Sequence, residues 1–217
     1  MSEINNFLQT QSPQFGIDRL LRSDLSANPF KQFESWFKDA IAFSAIEANA
    51  MNLATVDKNG QPSNRIVLLK SMDETGFIFF TNYTSRKAKE IAQNSNAAIN
   101  FFWAELTRQV RVEGKLKKVS ERESDEYFKS RPRMSQLGAI ASVQSEVIDS
   151  NENLDERVEA LKEKYLIGDI PRPAHWGGYI LIPHCIEFWQ GRANRLHDRF
   201  QYTLQKDMSW MIERLSP

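Results

Sequence analysis

The densest group of chemically capable side chains in this sequence lies between Trp189 and Arg199, in the run Trp-Gln-Gly-Arg-Ala-Asn-Arg-Leu-His-Asp-Arg. An indole, three arginines and a histidine crowd what reads as a turn between two strands. Turns are usually built from Gly, Asn and Asp, which set backbone shape and carry little else. Cations gathered beside an aromatic ring suit an anionic or planar, electron-rich partner. An exposed basic loop is the weaker alternative. Taken alone, the run indicates a site for something anionic and planar, and no more.

Three other groups carry cations in unusual places. Arg65 and Lys70 fall on one predicted strand, five residues apart. That odd separation puts them on opposite faces of a regular strand, so either both faces meet ligand or a bulge re-aims one of them. Arg86 and Lys87 follow Ser85 in the first turn of a predicted helix, where the macrodipole disfavours positive charge. A bound anion would reconcile the two; a solvated basic turn would also explain them. Tyr127, Arg131 and Ser135 recur every four residues, which stacks them on one helical face as far as the Arg131-Pro132 break. They offer an anion one charge and several donors, or form an exposed helix end. Phosphate-loop, dinucleotide and nucleophile-elbow motifs are missing. His175, His184, His197 and Cys185 have no zinc spacing, so no metal is expected, and the first two histidines read as ordinary loop residues.

The elements that must position these groups alternate between helix and strand. Asn28-Pro29 starts a helix expected to reach about Asn49, with Phe30, Phe33, Phe37, Ile41 and Ala45 as a buried stripe that Trp36 widens. Strands at 53–56 and 65–70 flank Asp57-Lys-Asn-Gly60, a hairpin signal. A strand follows at 77–80, a helix capped by Ser85, and strands at 97–103 and 108–113. Ser120-Glu-Arg-Glu123 fits a capping box opening a helix through Tyr127. Residues 150–166 read as a peripheral helix with Leu154, Val158, Leu161 and Tyr165 on one face. Four strands close the chain, at 178–182, 185–189, 198–204 and 210–215. The pattern is α+β, mainly antiparallel β, closing as a barrel with helices at its sides. Residues 1–27 read as a flexible arm and 28–217 as one domain.

Composition narrows the classes. Hydrophobic residues make up 41% of the 217 residues and aromatics 11%, which suits a folded globule. Lys plus Arg and Asp plus Glu both number 28, so no global basic field exists for nucleic acid or an anionic membrane. One cysteine precludes an internal disulfide framework and favours a reducing compartment. The sequence has no signal-peptide core at its start and no run near the ~20 apolar residues of a membrane span. A cytoplasmic protein is expected.

The motif segments RIVLLK (65–70), FFTNYTSRKA (79–88), RQVRVEG (108–114), YFKSRPRMSQLGA (127–139), WGGYI (176–180), IEFWQG (186–191) and NRLHDRF (194–200) together resemble the pyridoxine (pyridoxamine) 5′-phosphate oxidase family, from about Leu21 to Pro217. The resemblance implies an FMN-binding split β-barrel with peripheral helices, assembled as a homodimer with FMN in clefts at the subunit interface. Carried over by position, the FMN contacts are Arg65, Ile66, Val67, Leu68, Leu69 and Lys70, then Phe80, Thr81, Arg86, Lys87, Gln109, Gln144, Ser145, Trp189 and Arg199. Arg65, Arg86, Lys87 and Ser145 would hold its phosphate. The substrate contacts are Lys70, Tyr127, Arg131 and Ser135 around a phosphate, with Arg195, Leu196 and His197 near a pyridine ring; Arg195 and His197 orient the reacting face and are the catalytic candidates. The implied reaction oxidises the 4′-carbon of pyridoxine or pyridoxamine 5′-phosphate. Hydride passes to the flavin, dioxygen becomes hydrogen peroxide, and the amine substrate also releases ammonia.

One departure concerns the arm. The family often carries an Arg-Arg-Glu-Tyr-like segment that closes over substrate, and this chain has Ser12-Pro-Gln-Phe15 there. A weaker grip on substrate by this arm is expected. A flavin reductase-like enzyme would explain the FMN residues but not the Lys70, Tyr127, Arg131, Ser135, Arg195 and His197 set. A flavin- or vitamer-binding carrier would keep the phosphate ligands and tolerate loss of the ring-side pair.

Overall fold

A computed structural model describes residues 18–43, 47–149 and 154–217. The first 17 residues of the expected arm, with Ser12–Phe15, lie outside the described residues, as do Ala45 and the expected helix start at Ser150. The chain divides into two compact units. One comprises the described residues up to Ala48 with Phe101–Arg111 and Cys185–Pro217; the other comprises Asn49–Asn100 and Val112–His184.

The second unit opens on strands β1 (Ala50–Val56) and β2 (Pro62–Leu68), an antiparallel hairpin in which Val56 faces Pro62 and Leu53 faces Arg65. Its turn is the expected one: Asp57 Oδ1 accepts from the Asn59 and Gln61 amides, and Gly60 takes φ of 84°, a backbone region glycine enters without strain. Strand β3 (Ser71–Met72) pairs with β4 (Phe77–Asn82), followed by helix α2 (Arg86–Gln93); helix α1 (Pro29–Ala42) belongs to the other unit. Strands β5 (Asn96–Trp103), β6 (Arg108–Lys118) and β7 (Trp176–Gln190) complete the order β2-β1-β5-β6-β7-β4-β3. Leu53, Phe77, Phe79, Ile99 and Leu181 are fully buried in this unit.

Strand β7 is one element where two were expected, and it runs through Pro183. Proline removes a ladder donor, and the neighbouring strand passes close by at this point: a Cβ on Gly114 would sit 2.2 Å from the Ile182 carbonyl oxygen and 2.9 Å from the Pro183 Cα. Helix α3 (Glu121–Ser130) starts at the expected cap, with Ser120 Oγ accepting from the Glu123 amide at 3.1 Å, one half of a capping box. It ends because Arg131, preceding a proline, is extended with ψ of 148°. The chain then re-enters helix as α4 (Arg133–Ala141), which was not expected. Gln136 secures the join by donating to the carbonyls of Phe128, Lys129 and Arg131 at 3.0–3.1 Å, satisfying helix-end acceptors that would otherwise be bare. Helix α5 (Leu154–Lys164) packs Val158 and Leu161 against a cluster of Phe128, Leu137, Ile170 and Trp176.

The first unit is built on α1 (Pro29–Ala42), capped by Asn28, whose Oδ1 accepts from the Phe30 amide at 2.8 Å. Phe33 meets Phe101 edge-on with centroids 4.9 Å apart, and Trp36 meets Phe188 at 5.2 Å. The helix stops at Ala42 instead of near Asn49. Ile41 and Phe43 point outward, 58% and 64% exposed, so neither side chain anchors the end of the helix against a buried surface. Strands β8 (Asp198–Leu204) and β9 (Trp210–Leu215) pair antiparallel beside the end of β7. Among the described residues no helix is long and apolar enough to cross a membrane.

Replacing Gly114 with alanine should destabilise the fold by about 2 kcal/mol, because the clashing atoms are backbone and cannot swing aside. Urea unfolding of Gly114→Ala measures this; a midpoint equal to that of the unsubstituted chain contradicts it.

Candidate active site

In the second unit a cavity of about 610 Å³ collects most of the expected residues: Arg65, Ile66, Val67, Leu68, Lys70, Phe80, Thr81, Lys87, Tyr127, Arg131, Ser135 and Gln144 line it, together with Trp176. Four of its lining residues are cationic and none is acidic, among the described residues. The face problem posed by Arg65 and Lys70 resolves simply, because β2 ends at Leu68. Leu69 turns inward, its amide bonded to the Asn49 carbonyl and its side chain buried, so it does not line the cavity. Lys70 follows outside the strand and returns to the rim.

Arg65 is held from behind. Its Nη1 donates to the Leu53 carbonyl at 3.1 Å and to Thr55 Oγ1 at 2.6 Å, and Nη2 lies 3.3 Å from Glu90 Oε2. Burial works against an ionised Glu90, but hydrogen bonds from Thr55, Ser63 and Arg86 and the charge of Arg65 outweigh it and hold the carboxyl down at about 2. Arg86 pairs with the other Glu90 oxygen at 2.9 Å, one helical turn away. That pairing draws Arg86 out of the main cavity. It lines a separate one with Asp57, Lys58, Lys89, Gln93 and Ser145, so the expected Arg86 and Ser145 contacts stand apart from Arg65 and Lys87.

Lys87 turns the other way from its neighbour. Its Nζ is buried and donates to Gln144 Oε1 at 2.8 Å, Thr81 Oγ1 at 3.0 Å and Ser85 Oγ at 3.3 Å. Burial and the nearby Arg65 charge pull the ammonium down to about 8. Glu90 offsets part of this from a distance, but among the described residues Lys87 has no direct ion pair, which an anion in the cavity would supply. Ser85 occupies the N-cap position, but its hydroxyl donates to the Asn82 carbonyl instead of capping the helix.

Across the cavity, Phe80, Tyr127 and Trp176 form a stack: Phe80 lies 3.9 Å from the Tyr127 ring and 5.5 Å from the Trp176 ring, nearly parallel to both. The Arg131 guanidinium sits 4.6 Å over Trp176. Arg131 Nη1 is buried with no hydrogen-bond partner among the described residues, a loss of about 1–3 kcal/mol that a ligand oxygen would recover. Burial accordingly lowers the Arg131 pKa and raises that of Tyr127.

The remaining expected residues lie in the first unit. Gln109 is half-buried on β6. Trp189 and His197 pack ring against ring at 4.6 Å. Arg199 donates to Glu187 Oε1 at 2.7 Å and to the Ser216 carbonyl at 3.0 Å. Arg195, the last residue of a short 3₁₀ turn, Ala193–Arg195, and Leu196 just after it are exposed; Asn194 and Arg195 have φ of 57° and 58°. Sequence reasoning missed the buried carboxylates Glu90, Glu187 and Asp198 behind the arginines, and Trp176 beneath Arg131. Glu90 had one usable signal, its position four residues after Arg86.

The family description "Pyridoxamine 5′-phosphate oxidase" matches residues 37–165, and "Pyridoxine 5′-phosphate oxidase C-terminal dimerisation region" matches 176–217. The chain belongs to this family. A relative from Trichormus variabilis named pyridoxine/pyridoxamine 5′-phosphate oxidase is 55% identical over 203 residues, covering 94% of this chain and 95% of its own. One of the same name from Acaryochloris marina is 57% identical, covering 91% and 90%. Among solved structures, PhzG from Burkholderia lata 383, in complex with tetrahydrophenazine-1-carboxylic acid, superposes with a TM-score of 0.87 at 30% identity over 93% of this chain and 99% of that one. The family's fold class, a mainly antiparallel split β-barrel with peripheral helices, is the one expected from the sequence.

Lys87 makes stability depend on pH in a defined direction. Its folded pKa of about 8 lies below the ordinary lysine value, so above pH ~8 the unfolded chain holds more protons and stability rises with pH. Relative to Lys87→Met, the unsubstituted ligand-free protein should gain stability between about pH 7.5 and 9.5. Urea midpoints at both values test this, and a constant difference contradicts it.

Proposed function

We propose that this protein is an FMN-dependent oxidase converting pyridoxine 5′-phosphate or pyridoxamine 5′-phosphate to pyridoxal 5′-phosphate. The observation that carries this reading is the cavity itself: Arg65, Lys70, Lys87 and Arg131 line it without a carboxylate, and Arg131 Nη1 is left for a ligand. Two phosphorylated ligands account for two cation groups in a chain of zero net charge.

The residues present fit FMN. Arg65, Thr81, Lys87 and Gln144 would hold its phosphate by charge-assisted bonds, with Ile66, Val67 and Leu68 along its ring system. Lys70, Tyr127, Arg131 and Ser135 would take the substrate phosphate. Gln109, Trp189, Arg195, Leu196, His197 and Arg199 would come from a second copy, the chain acting as a homodimer in keeping with its dimerisation region. Bound FMN supplies the two-electron acceptor at the substrate 4′-carbon, and dioxygen carries the electrons off as hydrogen peroxide. The alcohol needs nothing further; the amine consumes one water and releases ammonia. The protein's own contribution is to bind both phosphates, orient the pyridine ring and exclude bulk water. We place the enzyme in the cytoplasm.

Purified protein with FMN, incubated in air with each vitamer, should yield the aldehyde and peroxide together. Flavin binding without turnover of either vitamer leaves a carrier and sinks the oxidase. Lys87→Ala should weaken FMN retention by roughly 1.5–3 kcal/mol, about ten- to a hundredfold, through a lost charge-assisted bond. Arg195→Ala should instead lower turnover far more than FMN affinity. Flavin titration and steady-state kinetics on both variants separate the effects; equal losses in both quantities contradict the division of roles.

A further inference from the structure

We propose that His197 acts as a neutral hydrogen-bond donor through Nε2, and that Arg192 and Asp198 are positioning residues that hold it in that state. The substrate-facing part of this rests on the function proposed above; the tautomer does not.

The decisive contact is from the Arg192 backbone N–H to His197 Nδ1, at 3.1 Å. A backbone amide can donate but cannot accept. Nδ1 must therefore present its lone pair, because a proton there would meet the amide hydrogen head-on. A neutral imidazole with Nδ1 bare carries its proton on Nε2. The ring has little freedom to turn away, since it packs against Trp189 at 4.6 Å. Burial and the charges of Arg195 and Arg199 also disfavour the imidazolium form.

Arg192 is itself fixed. Its Nη1 donates at 3.1 Å to Oδ1 of Asp198, a carboxylate with no exposed surface. The same oxygen takes Arg214 Nη2 at 2.7 Å, and Oδ2 accepts from the Leu20 amide at 3.1 Å. Between Arg192 and His197 the chain passes through two consecutive left-handed residues, Asn194 and Arg195, at φ of 57° and 58°. Such backbone persists where its ends are clamped. The Arg192–Asp198 pair and the bond to Nδ1 clamp both ends, and they also present Arg195.

With a proton already on Nε2 and Nδ1 occupied, His197 cannot accept a proton from substrate. It can donate to an acceptor on the substrate's ring. Glutamine places an N–H donor at a similar reach, whereas alanine places none.

The test uses the FMN-loaded, full-length protein labelled with ¹⁵N-histidine. Long-range ¹H–¹⁵N correlation spectra identify His197 by the signal lost in His197→Gln. The expected pattern is a bare Nδ1 and a protonated Nε2 from about pH 6.5 to 9. An imidazolium or an Nδ1–H ring at neutral pH overturns the proposal. Arg192→Ala keeps the amide but frees its anchor, and should mix the two tautomers; Arg192→Lys should restore the single one. An unchanged spectrum in Arg192→Ala overturns the positioning role, and if that variant does not fold, the unsubstituted spectrum still decides the tautomer. In turnover, His197→Gln should stay within about tenfold of the unsubstituted enzyme while His197→Ala loses on the order of a hundredfold; equal losses overturn the donor role. Absence of turnover in the unsubstituted protein fails the proposed function and leaves the spectrum readable.

Discussion

Four cations around one cavity repel each other, and the cavity persists because a carboxylate stands behind it. Glu90, on α2, gathers Thr55 from β1, Ser63 and Arg65 from β2, and Arg86 from its own helix. Two strands and a helix are thereby pinned at one point, and Arg65 keeps its guanidinium at the cavity wall. The placement is costly unless fully satisfied, since a buried carboxylate is tolerable only with its lone pairs occupied. Here both oxygens are used. Glu90 leaves the adjacent Lys87 without direct pairing, and that lysine remains a buried ammonium with three neutral partners. Burial and the nearby Arg65 charge lower its pKa, and an anion in the cavity would offset both.

The opposite wall is made of stacked rings and a deliberate break in a helix. Pro132 stops α3 and Gln136 ties the two helices together across the stop. An unbroken helix would have sent Arg131 along its face towards solvent or another turn. The extended residue instead lays its guanidinium over Trp176, where a flat cation on a flat ring needs little further support. Ser135 then projects from a new helix into the same cavity. The regular four-residue spacing in sequence thus arrives at a common site by an irregular path.

The same device recurs in the first unit. Glu187, almost fully buried, holds Arg111 and Arg199 on separate oxygens. Asp198 holds Arg192 and Arg214 and also the Leu20 amide. These arginines are held in place because buried acids consume some of their donors. The zero net charge of the chain is in part this pairing.

Local signals carried the element boundaries where backbone chemistry alone decides. The Asn-Gly turn, the Asn28 and Ser120 caps, the stop at Arg131-Pro132 and the last two strands are all legible from neighbouring residues, as was the family from its ordered motifs. Boundaries that depend on distant partners were not. The early end of α1 reflects which faces find a buried surface, and β7 runs on through Pro183 close beside a glycine on another strand. The restart of helix at Arg133 also escaped, since Gln136 acts through carbonyls that come close only once both helices exist. For the candidate site, sequence singled out the cations Arg65, Lys70, Lys87 and Arg131 that the cavity gathers, because their types and motif positions are local facts. Tertiary structure alone decided that Lys87 turns into the cavity while Arg86 turns away, and that Leu69 faces the core. A side chain's direction is set by the partner it finds, here Glu90 for one residue and Gln144 for the other, and those partners become neighbours only when the chain has folded.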